Sequence, residues 1–197
     1  YLTFPDGRVA MLVGDVAGKG MPASLLMSSL QARVQVLFED GDDLAKKVAR
    51  LNRIICSNCP DNRFITFFMT IVDPATGELK YTNAGHNPPV LVRAAGGFEM
   101  LTEAGGMILG ILPMASYEES TAKMQAGDVL LIFSDGVTEA ANLADEQFGE
   151  ERLAELVAGL RDRPAKEIAD AIQQAVTDFA QGAPAADDIT VVVARRV

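Results

Sequence analysis

Histidine is almost missing from this chain. His86 is the only one, and Cys56 and Cys59 are the only cysteines. A structural zinc site takes four ligands, so one Cys-x-x-Cys pair without a second pair does not build one. A redox pair belongs at a strand-to-helix turn, whereas these two thiols close a helical pattern. They read as reduced cysteines near a helix end, which suits the cytoplasm. Basic residues are also short: 17 Lys and Arg stand against 27 Asp and Glu, a formal net charge of −10. A nucleic-acid partner would want a basic face, so that class of function is set aside. No apolar stretch approaches the roughly 18 residues that span a bilayer. The opening residues, Tyr1-Leu2-Thr3-Phe4-Pro5-Asp6, lack the charged-then-apolar form of a signal peptide. A cytoplasmic protein with no membrane span is expected.

What the chain does have is apolar content. Hydrophobic residues make up 49% of 197 positions, with no low-complexity run, enough for one folded domain over 1–197. Strand-like sequence begins within a few residues of Tyr1, so a fragment of a longer protein is expected.

Residues 7–14 read as a buried strand, and 15–20 as a loop. Pro22 suits an early helical position. A helix is expected from there to about Phe38, with Leu25, Leu26, Ser29, Leu30, Val34 and Leu37 near a 3.6 period. Gly41 ends it. A second helix is expected from Asp42 to about Cys59, capped by Asp42 or Asp43, with Leu44, Val48, Leu51, Ile54 and Ile55 inward. Phe64 to Val72 and Glu78 to Asn83 flank the turn signal Asp73-Pro74-Ala75-Thr76-Gly77 and form a hairpin. Pro89 to Arg93 is a strand, and Gly96-Gly97 turns the chain. Residues 105–113 read as a loop or flap. Tyr117 to Met124 and Asp128 to Phe133 read as a strand pair about Ala126-Gly127. After a polar segment, 134–149, two helices are expected, Glu150 to about Leu160 and Pro164 to about Ala180. The second turns Ile168, Ile172, Val176 and Phe179 inward. Ile189 to Ala194 reads as a central strand. Helices in pairs between groups of strands make this α+β.

Three aspartate sites stand where a strand meets a loop: Asp15, Asp135, and Asp187 with Asp188. Carboxylates brought within a few ångströms repel unless a cation neutralises them. All-oxygen ligation favours Mg²⁺ or Mn²⁺ over zinc. Each site alone is equally a turn or cap aspartate. Gly14 and Gly18 are separated by three residues and Lys19 is followed by Gly20, so the P-loop pattern fails. A single distant histidine gives no support to a Ser-His-Asp triad, and Gly-x-Ser-x-Gly is absent.

Four segments, in order, carry a resemblance. They are Val13-Gly14-Asp15-Val16-Ala17-Gly18-Lys19-Gly20-Met21-Pro22-Ala23-Ser24, Tyr81-Thr82-Asn83-Ala84-Gly85-His86-Asn87-Pro88-Pro89, Phe133-Ser134-Asp135-Gly136-Val137-Thr138-Glu139-Ala140 and Asp187-Asp188-Ile189-Thr190. Together they resemble the SpoIIE/RsbU-type branch of the metal-dependent protein phosphatases, related to protein phosphatase 2C.

The resemblance implies a four-layer α/β/β/α sandwich, two antiparallel sheets with helix pairs on both outer faces. It implies a serine/threonine phosphatase holding two Mn²⁺ or Mg²⁺ ions. Asp15 would bridge them, the Val16 backbone carbonyl would hold the second, and Asp135 and Asp187 would complete the first. Gly18, Gly136 and Asp188 would support the site. His86 stands where many protein phosphatase 2C members carry an aspartate of a third metal site, so a structural role is expected for it. Lys19 is expected to face solvent or to be structural. The resemblance further implies a phosphorylated anti-sigma-factor antagonist as substrate, an N-terminal sensor or receiver domain, and a possible homodimer. The helices after Pro22 would couple sensing to the site. An earlier acidic motif and N-terminal strand of the family have no counterpart here. A catalytically weak or inactive signalling module of the same fold, binding a partner without hydrolysis, is the alternative.

Overall fold

The computed structural model describes residues 1–39, 43–58, 63–185 and 187–197. The expected helix break at Gly41, the Asp42 cap and Cys59 lie outside them. The chain divides into two compact units, 1–86 with 102–123, and 87–101 with 124–197. Each is an antiparallel sheet backed by a helix pair, so α+β with two antiparallel sheets holds.

In the first unit, β1 (Leu2–Thr3), β2 (Val9–Val16), β3 (Ile65–Val72), β4 (Glu78–Ala84) and β7 (Glu119–Lys123) line up in the order β1-β2-β3-β4-β7. The β3–β4 turn forms as expected, with Asp73 Oδ1 accepting from the Ala75 amide at 2.9 Å. Helices α1 (Met21–Leu37) and α2 (Leu44–Cys56) supply Leu26, Leu30, Val34, Leu44, Val48, Leu51 and Ile55 to one apolar cluster with Ala10, Ile65, Phe67 and Met69. Each such side chain contributes about 1.5–3 kcal/mol on burial. Leu25, expected inward, is 64% exposed. The stripe needs only one residue per turn here, at 26, 30 and 34, and Leu25 falls to its flank. Asp43 occupies the cap position of α2 in the left-handed region and makes no side-chain cap bond.

In the second unit the order is β6-β5-β8-β9, from β5 (Val90–Val92), β6 (Phe98–Met100), β8 (Val129–Phe133) and β9 (Val191–Arg195). Helices α4 (Glu150–Leu160) and α5 (Ala165–Ala180) pack Leu153, Val157, Ile168, Ile172 and Val176 against Val90, Val129, Leu131 and Phe133. A four-residue helix, α3 (Asp135–Thr138), follows β8.

Two sequence expectations change. The segments about Ala126-Gly127 do not pair: β7 bonds to β4, while β8 bonds to β5 and β9. A glycine turn can end one sheet and begin another, and local sequence does not say which. The final strand is not central. β9 has a single neighbour, β8, among the described residues, and all five of its residues are only half-buried. Its apolar run packs against α5, which is why it reads as an inner strand. The segment 105–113 is a loop, as expected, and it is tethered at both its middle and its end. Leu109 exchanges two backbone bonds with Ile65, at 2.8 and 2.9 Å. Buried Asn52 of α2 donates to the Leu112 carbonyl at 2.8 Å and accepts from the Gly110 amide at 2.9 Å.

Candidate active site

Asp15 and Val16 are the last residues of β2 rather than loop residues. The β2–β3 ladder continues to its end, with Asp15 opposite Thr66 and Val16 opposite Ile65. Eight paired residues hold this strand straight, so the half-buried Asp15 is presented by a rigid element. Beyond it the Ala17 amide donates to the Phe64 carbonyl at 2.9 Å. Gly18 then turns the chain at φ +100, and Gly20, at φ +81, is the N-cap of α1. Both conformations favour glycine. Lys19 is exposed.

His86 is buried in the same unit. Its Nδ1 shares a 2.9 Å hydrogen bond with Thr66 Oγ1, the residue paired with Asp15. Asn83 grips the His86 backbone on both sides, accepting from its amide at 2.7 Å and donating to its carbonyl at 2.9 Å. The imidazole therefore braces β3 behind the aspartate strand, which suits a structural part.

The second unit brings the other two acidic segments together. Asp135 is the first residue of α3, directly after β8. Ser134 fastens this corner to the chain before β9. Its hydroxyl donates to the Asp188 carbonyl at 3.1 Å and accepts from the Thr190 amide at 2.9 Å. Its own amide donates to the Thr190 carbonyl at 3.0 Å. Gly136 lies so close that a Cβ there would run into the Asp188 carbonyl oxygen. Asp187 and Asp188 are exposed, and Asp187 Oδ1 accepts from the Asp188 amide at 2.8 Å. Beside Gly136 and Asp187 a cleft of about 210 Å³ has mostly apolar walls, including Ala140, Val176 and Ile189.

Asp15 thus belongs to one unit, and Asp135, Asp187 and Asp188 to the other. The donors are hard oxygens, the chemistry that Mg²⁺ or Mn²⁺ takes. Among the described residues, however, no group of three or more His, Cys, Asp or Glu side chains is gathered so as to hold a metal ion. Ser134, Thr66 and Asn83 were not singled out from the sequence as positioning groups. For Ser134 a signal existed, its place directly before Asp135. Thr66 is visible only once the β2–β3 register is known.

The fold has solved counterparts. The phosphatase domain with a regulatory fragment of SpoIIE from Bacillus subtilis matches at a TM-score of 0.80 and 23% identity, over 95% of this chain and 54% of that one. The RsbU and RsbW domains of a Mycobacterium tuberculosis protein match at 0.82 and 24% identity, over 99% of this chain and 54% of that one. These likenesses show that the chain shares the fold of those solved domains. Residues 5–197 match the family model for Stage II sporulation protein E (SpoIIE), and the chain belongs to that family. Phosphoserine phosphatase RsbU of Bacillus subtilis is 32% identical over 131 residues, 66% of this chain and 39% of RsbU. The chain spans less than half the length of the curated relatives it matches.

Proposed function

We propose that this domain removes phosphate from phosphoserine or phosphothreonine on a protein, and that the substrate is an anti-sigma-factor antagonist. The observation that supports it most is the family match over residues 5–197, with Asp15 carried on a strand end and Asp135 fastened beside Asp187 and Asp188. Asp15, the Val16 carbonyl, Asp135 and Asp187 would hold Mn²⁺ or Mg²⁺, with two ions expected. An ion held by these residues would supply activation of water near neutral pH and offset phosphoryl charge. The chain's own part is placement. Ser134 and Gly136 fix the Asp135 corner, the Thr66–His86 pair backs the strand behind Asp15, and Gly18 turns the chain away from it.

In a longer protein an N-terminal sensor or receiver domain would act on α1 and α2. Exposed Met21, Leu25 and Val36 give α1 an apolar face for such a partner. A cytoplasmic location and a homodimer belong to the same proposal. Among the described residues no helix is long and apolar enough to cross a membrane. The alternative is a module of this fold that binds a phosphoprotein without hydrolysing it.

The test is phosphate release from a generic phosphomonoester in added Mn²⁺. Asp15→Asn and Asp135→Asn should each lower turnover about 100-fold or more. Turnover that survives a chelator would overturn the metal mechanism. Binding of a phosphorylated partner with no release would favour the alternative.

A further inference from the structure

The turn after Asp15 is held by a side chain that the catalytic proposal does not use. Arg63 precedes β3, and its Nη1 donates to the Ala17 carbonyl at 2.8 Å. The same guanidinium lies over Gly18: a Cβ at that position would run into Nη1. Gly18 is therefore glycine for two separate reasons. Its φ of +100 is strained for any L side chain, and the space a side chain would take is filled by Arg63. On the other side of the turn the Ala17 amide is fixed to the Phe64 carbonyl. Residue 17 is thus pinned through its amide by one residue and through its carbonyl by the neighbouring one.

The geometry points to Arg63 as a positioning residue for the Asp15–Val16 strand end: it holds the Ala17–Gly18 peptide, next to the Val16–Ala17 peptide that Phe64 holds, and so sets the turn that leaves the strand. A guanidinium suits this task because a charge-assisted donor to a carbonyl is strong and its planar fork resists swivelling. A lysine in its place offers a point charge on a flexible stem and no flat surface for Gly18 to lie against. The inference rests on the proposed metal site, so its test separates the two.

The experiment measures Mn²⁺ affinity by calorimetry, with thermal unfolding alongside, for wild type, Arg63→Ala, Arg63→Lys, Gly18→Ala and Arg63→Ala/Gly18→Ala. Arg63→Ala should weaken Mn²⁺ binding about tenfold or more, the scale of groups that orient ligands. Arg63→Lys should recover only part of that. Gly18→Ala should weaken binding on its own and cost less in the Arg63→Ala background, where the backbone strain at φ +100 remains but the contact with the guanidinium is gone. In turnover assays the loss should appear as a raised Mn²⁺ requirement, with kcat largely restored at saturating Mn²⁺. Wild type that binds no Mn²⁺ overturns the metal reading and this inference with it. Wild type that binds, with Arg63→Ala equal to it, overturns this inference alone. Additive losses in the double variant would remove the Arg63–Gly18 contact as their cause.

Discussion

At the scale of single residues, Asp128 is the strongest polar anchor outside the candidate site. It directly precedes β8 and is 1% exposed. Burial pushes its carboxyl pKa up. The Ala94 and Gln125 amides and Arg93 Nη1, at 2.8, 2.9 and 2.7 Å, more than offset this and hold it below the ordinary carboxylate value. Asp128→Ala removes the acceptor of those three donors and should cost about 3 kcal/mol in urea unfolding. The pH dependence has a definite sign. A lowered folded pKa contributes stability above the unfolded carboxylate range, and that contribution is lost as pH falls through the folded value. The stability gap between wild type and Asp128→Asn should therefore be widest near neutrality and shrink below about pH 4. A gap independent of pH would show that the charge is not what Asp128 contributes.

At the scale of elements, α1 has two faces with different work. Leu30, 3% exposed, packs in the first unit's core, while Leu25 lies in the open. Leu30→Ala should cost about 2–5 kcal/mol, and Leu25→Glu should stay within about 0.5 kcal/mol, both read from chemical denaturation. In a longer protein the Leu25→Glu change should alter activation while leaving the domain's melting point in place. Unchanged activation would argue against α1 as the regulated face. In α2, Asn52 ties the helix to 110–112. Asn52→Ala removes both bonds and should speed amide exchange at Gly110 without unfolding α2.

At the scale of the whole molecule, an ion that binds the folded chain and not the unfolded one should stabilise the fold. At about 100 times its dissociation constant, Mn²⁺ should add about 2.7 kcal/mol, reversed by chelator. Melting temperature against Mn²⁺ concentration measures this, and a flat response would count against a site in the folded protein.

Local pattern alone carried much of this protein. Apolar periodicity marked α1, α2, α4 and α5, and the Asp73–Gly77 turn marked the β3–β4 hairpin, because these depend on neighbours within a few residues. The aspartates at 15, 135, 187 and 188 were visible because carboxylates at strand ends stand out against apolar runs. Only the tertiary structure decided that β7 and β8 join different sheets, that β9 has one strand neighbour, and that Ser134 ties the Asp135 corner to Asp188. The reason is physical: strand partners and hydrogen bonds across more than fifty residues are chosen by the packing of distant surfaces, which no local window of sequence contains.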